Sequence, residues 1–198
     1  MPRDRDIPLL GVVSRLAEQK GIELIISALD KIAGLGLQFI LLGTGDTKYH
    51  LLLEKIKQKK YKNISINLRF DAVLARKIYA GCDMFLMPSD FEPCGLGQLI
   101  SLKYGTIPIG RKTGGLADTI VDYQHKKGPG PFLDSGNGFI FEKYRSEQML
   151  NAIMRAAALY KNKEKWRRLV LRAMDCDFSW RASAKKYIEL YRRALNEE

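Results

Sequence analysis

Short apolar runs of strand length recur along this chain, and each is followed by a segment with the periodicity of a helix. The first run, residues 7–14, holds Leu9, Leu10, Val12 and Val13 without alternation. Continuous apolarity marks a strand buried on both faces, because a half-exposed strand would alternate. Residues 22–33 then put Ile22, Ile25, Ile26, Leu29 and Ile32 on one helical face, and Gly34 and Gly36 end it. The rhythm predicts further strands at 37–42, 64–68, 84–87, 106–109 and 138–141. Helices are predicted at 47–60, 73–80 and 96–104, with another helical turn after the loop 110–115. Gly128-Pro129-Gly130-Pro131 reads as a loop, and helices at 146–160, 163–175 and 179–195 close the chain. Strands alternating with helices imply an α/β fold with a doubly wound parallel sheet and right-handed crossovers. No interior boundary interrupts residues 1–198, so a single domain with a helical C-terminal extension is expected.

Composition narrows the setting. With 198 residues and 46% hydrophobic content the chain can bury one substantial core. No run approaches the roughly 18 uncharged apolar residues of a membrane span, and the start is charged rather than signal-like. Cys82, Cys94 and Cys176 are too few and too scattered for a disulfide framework, so reduced thiols and a cytoplasmic setting are expected. The net charge of +11 fits nucleic acid, membrane surfaces or phosphorylated small molecules. Most of it lies on helical stretches such as 55–62 and 161–172, and no nucleic-acid-binding signature accompanies it. Neither a nucleic-acid nor a membrane partner is expected.

In parallel sheets ligands sit beyond the carboxyl ends of the strands. Three constellations occupy such positions. Ser14-Arg15-Leu16-Ala17-Glu18-Gln19-Lys20-Gly21 follows the first strand. Arg15 and Lys20 beside a helix N-terminus suit a diphosphate, though a solvated pair of cations reads equally well from these residues alone. Pro88-Ser89-Asp90-Phe91-Glu92-Pro93-Cys94-Gly95-Leu96-Gly97 lies between a strand and a helix. Glu92 is placed to accept from sugar hydroxyls, and Gly95 and Gly97 leave backbone N–H groups open to a phosphate or sugar. A surface carboxylate and ordinary turn chemistry remain the alternatives there. Lys112-Thr113-Gly114-Gly115-Leu116-Ala117-Asp118 is the third, weak alone but consistent with a shared mouth. No metal site is expected: Asp4/Asp6 and Asp175/Asp177 lack context, and His50 and His125 lack partners at ligand spacing. Cys94 has no neighbouring histidine and offers its backbone N–H rather than a nucleophile.

These motifs together resemble bacterial glycogen synthase and plant starch synthase. The resemblance is carried by Ser14-Arg15-Leu16 with Gln19-Lys20-Gly21, by Pro88-Ser89 with Phe91 to Leu96, and by Leu102-Lys103-Tyr104-Gly105-Thr106. Thr113 to Thr119 and Asp177-Phe178-Ser179-Trp180 complete it, so it spans nearly the whole chain. It implies the Rossmann-like C-terminal half of a GT-B glycosyltransferase. That family transfers glucose from ADP-glucose to the end of an α-1,4-glucan, retaining anomeric configuration and using no metal or other cofactor. By resemblance Arg15 and Lys20 hold the diphosphate and are catalytic with Glu92. Glu92, with the backbone of Cys94 and Gly95, binds glucosyl hydroxyls. Leu96 and Gly97 approach the phosphates, and Phe70 stacks on adenine where the family often has tyrosine.

Two departures bear on the expectation. Related retaining transferases carry a second Glu eight positions after the first, where this chain has Ile100; glycogen synthases also generally lack it. The family's N-terminal domain, which holds the acceptor site, is not expected within these 198 residues, so this length is expected to bind ADP-glucose and ADP without elongating glucan. The compartment implied is the cytoplasm, or a plastid in a plant. Open alternatives are a UDP-glucose-dependent transferase and a non-catalytic glucan-binding module. A dinucleotide oxidoreductase is disfavoured, because no Gly-x-Gly-x-x-Gly follows the first strand.

Overall fold

A computed structural model describes residues 6–125 and 134–196. Six parallel strands form the main sheet: β1 (Leu9–Leu16), β2 (Gln38–Gly45), β3 (Ile64–Asn67), β4 (Met84–Met87), β5 (Ile107–Arg111) and β8 (Phe139–Phe141). Their order is β3-β2-β1-β4-β5-β8, and every pairing is parallel. The helices are α1 (Ile22–Ala33), α2 (Thr47–Lys57), α3 (Ala72–Gly81), α4 (Gly97–Tyr104) and α5 (Gly114–Thr119), then α6 (Ser146–Tyr160), α7 (Lys163–Asp175) and α8 (Trp180–Asn196). This is the expected α/β fold with helices on both faces.

Period-two geometry explains the two faces. Leu10 and Val12 point to the larger core, where Ile25, Leu29 and Leu53 pack from α1 and α2 and Ile153 from α6. Gly11 points the other way, against α3. A Cβ there would stand 2.6 Å from the Cys82 sulfur, so only glycine lets α3 lie this close. Ile78 and Cys82 then cover Leu42 and Phe85 on that face.

Several bounds differ from the sequence reading. β1 continues to Leu16, because β2 pairs with it through Arg15↔Thr44 and Leu16↔Gly45. Arg15 is therefore a strand residue, and Glu18–Lys20 forms a short 3-10 turn before α1. β5 likewise extends to Arg111, and α2 ends at Lys57. A two-stranded antiparallel ribbon, β6 (Gln124–His125) with β7 (Asp134–Ser135), was not expected. The loop read at 128–131 and Asp4 lie outside the described residues.

Candidate functional site

Strand order reverses between β1 and β4, the place where open α/β sheets form a crevice. The local geometry shows why. β1 pairs with β4 only through Leu10↔Met84 and Gly11↔Phe85, so beyond those residues the two strands part. The space between them is a cleft of about 480 Å³. Val13, Ser14, Arg15 and Lys20 line it from the β1 side, and Ser89, Glu92, Leu96 and Gly97 from the β4 side.

Charge is concentrated at the floor. Lys20 Nζ lies 2.6 Å from Glu92 Oε2, with side chains only 17% and 10% exposed. Ser89 Oγ donates to the same oxygen at 3.0 Å. An ammonium has three donors, so an anion entering the cleft still finds N–H groups on Lys20. Glu92 Oε1 has no hydrogen-bond partner among the described residues, and neither has the exposed Arg15 guanidinium. The cleft thus presents a free fork of donors beside a half-committed ion pair.

The loop carrying Glu92 is held by its backbone. Arg111 Nε donates to Ser89 O at 2.9 Å, and its guanidinium also reaches Asp90 O and Asp90 Oδ1. Gly115 N donates to Glu92 O at 3.0 Å and to Pro93 O at 3.2 Å. Gln98 Nε2 donates to Cys94 O at 3.1 Å and Gly95 O at 2.9 Å. The first loop is tied in as well: Asp90 N donates to Gln19 O, and Gly21 comes so close that a Cβ would lie 2.1 Å from Pro88 O.

A second pocket of about 240 Å³ adjoins the first and shares Val13, Ser14 and Arg15 with it. Thr44 and the segment Arg69-Phe70-Asp71 complete its rim. Phe70 is 84% exposed, an unusual position for a ring whose burial is worth about 2 kcal/mol. Its neighbours fix it. Asp71 Oδ1 caps α3 by accepting from Leu74 N at 2.8 Å, and Oδ2 accepts from Arg69. The Leu74 amide first, and the Arg69 bond second, hold the Asp71 carboxyl below the usual carboxylate range.

The structure brings Arg15, Lys20, Glu92, Leu96 and Gly97 into one cleft, with Phe70 in the adjoining pocket. Cys94 and Gly95 are not among the lining residues; their carbonyls face Gln98. The third loop does not share the mouth. Its glycines serve contact with the second loop: a Cβ at Gly115 would stand 1.8 Å from Cys94 O, and one at Gly114 2.1 Å from Glu92 O. Cys94 is exposed, whereas burial, with Asp83 second, pushes the Cys82 thiol up to about 12. His50 bonds the β2–α2 turn at Thr44 and Gly45. Among the described residues no cluster of three or more His, Cys, Asp or Glu could hold a metal ion, and no helix is long and apolar enough to cross a membrane.

Two residues escaped the sequence reading. Tyr79 lines the cleft from α3, and burial raises its phenol to about 12, leaving it a neutral donor at ordinary pH. In sequence it is one more apolar position of a helical stripe. Arg111 sits next to Lys112 and reads as surface charge, yet it grips a loop some twenty residues away.

A cationic crevice at the switch point of a doubly wound sheet, beside an aromatic-rimmed pocket, is the arrangement of a nucleotide-binding α/β domain. Residues 2–170 match glycosyl transferases group 1, and the chain belongs to that family. Within it, the chain is 49% identical over 198 residues to the glycogen synthase of Thermosipho melanesiensis, covering 100% of this chain and 40% of the relative. With the glycogen synthase of Fervidobacterium nodosum the identity is 50% over 194 residues, covering 98% and 39%. The catalytic domain of starch synthase IV from Arabidopsis thaliana, bound to ADP and acarbose, matches with a TM-score of 0.84 at 42% identity. That match covers 98% of this chain and 39% of that one. Sucrose-phosphate synthase from Thermosynechococcus elongatus shares the fold alone, with a TM-score of 0.65 at 22% identity over 98% of this chain and 47% of its own. The motif resemblance to glycogen and starch synthases therefore holds. The chain spans about 40% of the length of the curated relatives it matches.

Proposed function

We propose that this chain is the donor-binding part of an α-glucan synthase, taking ADP-glucose and passing its glucosyl group to the end of an α-1,4-glucan. The observation that carries the reading is Arg15, which lies where the cleft and the aromatic-rimmed pocket meet. A diphosphate there joins a base on Phe70 to a sugar beside Glu92. In this reading Arg15 and Lys20 bind the diphosphate and offset its charge as it leaves, which is stabilisation at the point where charge develops. Glu92 accepts from glucosyl hydroxyls, and the N-terminus of α4 at Leu96 and Gly97 faces the phosphates. No cofactor is invoked. The acceptor engages parts of the longer relatives that this chain does not span, and the setting is the cytoplasm. The identity to glycogen synthases, and a similar structure described as bound to ADP and acarbose, support the reading.

Titration calorimetry with ADP and UDP tests it. The chain is expected to bind ADP in preference to UDP, and Arg15→Ala to weaken ADP by about 1.5–3 kcal/mol, the worth of a charge-assisted bond. Equal ADP affinity in the folded variant would show that the phosphates sit elsewhere.

A further inference from the structure

Every bond of the Arg111 guanidinium goes to the loop that bears Glu92, and Arg111 itself lines neither pocket. We propose that Arg111 is a positioning residue that aims the Glu92 carboxylate at the sugar. The inference rests on the donor-site reading above and adds to it the group that sets sugar recognition apart from nucleotide recognition.

Two consecutive carbonyls, Ser89 O and Asp90 O, accept from one planar fork. A fork of that kind fixes the relative orientation of the peptides it bridges, which a point-charge ammonium cannot do. Ser89 then carries the constraint onward. Its carbonyl accepts from Arg111 while its hydroxyl donates to Glu92 Oε2 at 3.0 Å, so one residue couples guanidinium to carboxylate. The guanidinium is itself fixed. Its side chain is 15% exposed and lies 5.6 Å from the centre of the Tyr144 ring. The Tyr144 hydroxyl donates to Glu23 of α1, and Glu23 also accepts from Tyr49 of α2 at 3.1 Å. The aim of Glu92 is thus referred through Ser89 to β5, α1 and α2, in addition to its ion pair with Lys20. Arg15 and Phe70 belong to β1 and the approach to α3 and do not depend on this chain of contacts.

The test compares ADP-glucose with ADP on wild type, Arg111→Gln and Arg111→Lys, with thermal unfolding alongside. The wild-type chain is expected to bind both. In both variants the advantage of ADP-glucose over ADP should fall by about tenfold, with ADP itself changed by less than about threefold, since only the sugar-facing group loses its aim. Ser89→Ala should lower the same ratio and leave little for Arg111→Lys to remove in the double variant; this arm serves if Arg111→Gln does not fold. An unchanged ratio in folded variants, full recovery in Arg111→Lys, or a parallel loss of ADP each overturns the positioning role. Absence of ADP binding by the wild type overturns the donor-site reading and this inference with it.

Discussion

Replacing Gly115 by alanine asks how closely the Glu92 loop must be held. An added Cβ would lie 1.8 Å from Cys94 O and 2.5 Å from its carbonyl carbon. Real Cβ contacts essentially never fall under 3.0 Å, so the two backbones must separate by about 1.2 Å. Neither side yields cheaply. Gly115 begins the buried face of α5, and Cys94 O is tied by Gln98 at 3.1 Å. Separation also breaks the bonds from Gly115 N to Glu92 O and Pro93 O. Overpacking costs about 1–3 kcal/mol and the lost backbone bond about 1 kcal/mol. For a domain of this size the sum lowers Tm by roughly 5–15 °C. The functional effect is of similar size in free energy, because Glu92 moves with its own carbonyl. Misplacement of a positioned group by about 1 Å costs on the order of 100-fold in rate, or about 2.7 kcal/mol of barrier. In a full-length protein carrying this chain, kcat/KM for glucosyl transfer from ADP-glucose is expected to fall about 100-fold. ADP affinity of the folded variant should fall far less, since Arg15 and Phe70 lie outside the displaced loop. Turnover within about threefold of wild type, with Tm unchanged, would refute the argument that the glycine pair positions the loop.

Two further perturbations address separate parts of the site. Glu92→Gln should cut turnover of the full-length protein by at least about tenfold, while ADP affinity holds or rises because Lys20 keeps its charge and loses its carboxylate partner; near-normal turnover would remove Glu92 from the site. The depressed pKa of Asp71 makes its cap a source of stability that is present above the ordinary carboxylate pKa and lost as pH falls through the lower folded value. The Tm gap between wild type and Asp71→Asn should accordingly be full near pH 7 and close in acid, and a gap constant across that range contradicts the assignment.

Most of the fold was legible because burial on both faces leaves a plain mark. Strands such as β1 and β4 are continuous apolar runs, and the helices between them repeat at 3.6 residues. Strand ends were less legible, since they depend on the neighbour. β1 reaches Leu16 because β2 continues to Gly45 beside it, and nothing in Arg15 or Leu16 alone announces that pairing. The β6–β7 ribbon has two residues per strand, too few for any period to register.

The candidate site divides along a chemical line. Cleft side chains at strand ends were legible, for charges and aromatic rings there are conspicuous: Arg15, Lys20 and Glu92 from position, Phe70 only through resemblance, whereas Tyr79 on α3 passes for one more apolar helix position. Residues that work through backbone were misread or missed. Gly114 and Gly115 resemble a ligand cradle, yet the groups they approach are the carbonyls of Glu92 and Cys94. Arg111 bonds Ser89 and Asp90 mainly through their carbonyl oxygens, which every residue type possesses. A contact to a backbone carbonyl leaves no requirement on the identity of its acceptor, so no pattern at positions 89 and 90 could have pointed to position 111. The cleft's chemistry is thus written in side chains while its geometry is enforced through carbonyls. Variants at Gly115, Arg111 and Gln98 are where that division can be measured, because each alters geometry without removing a group that lines the pocket through its own charge.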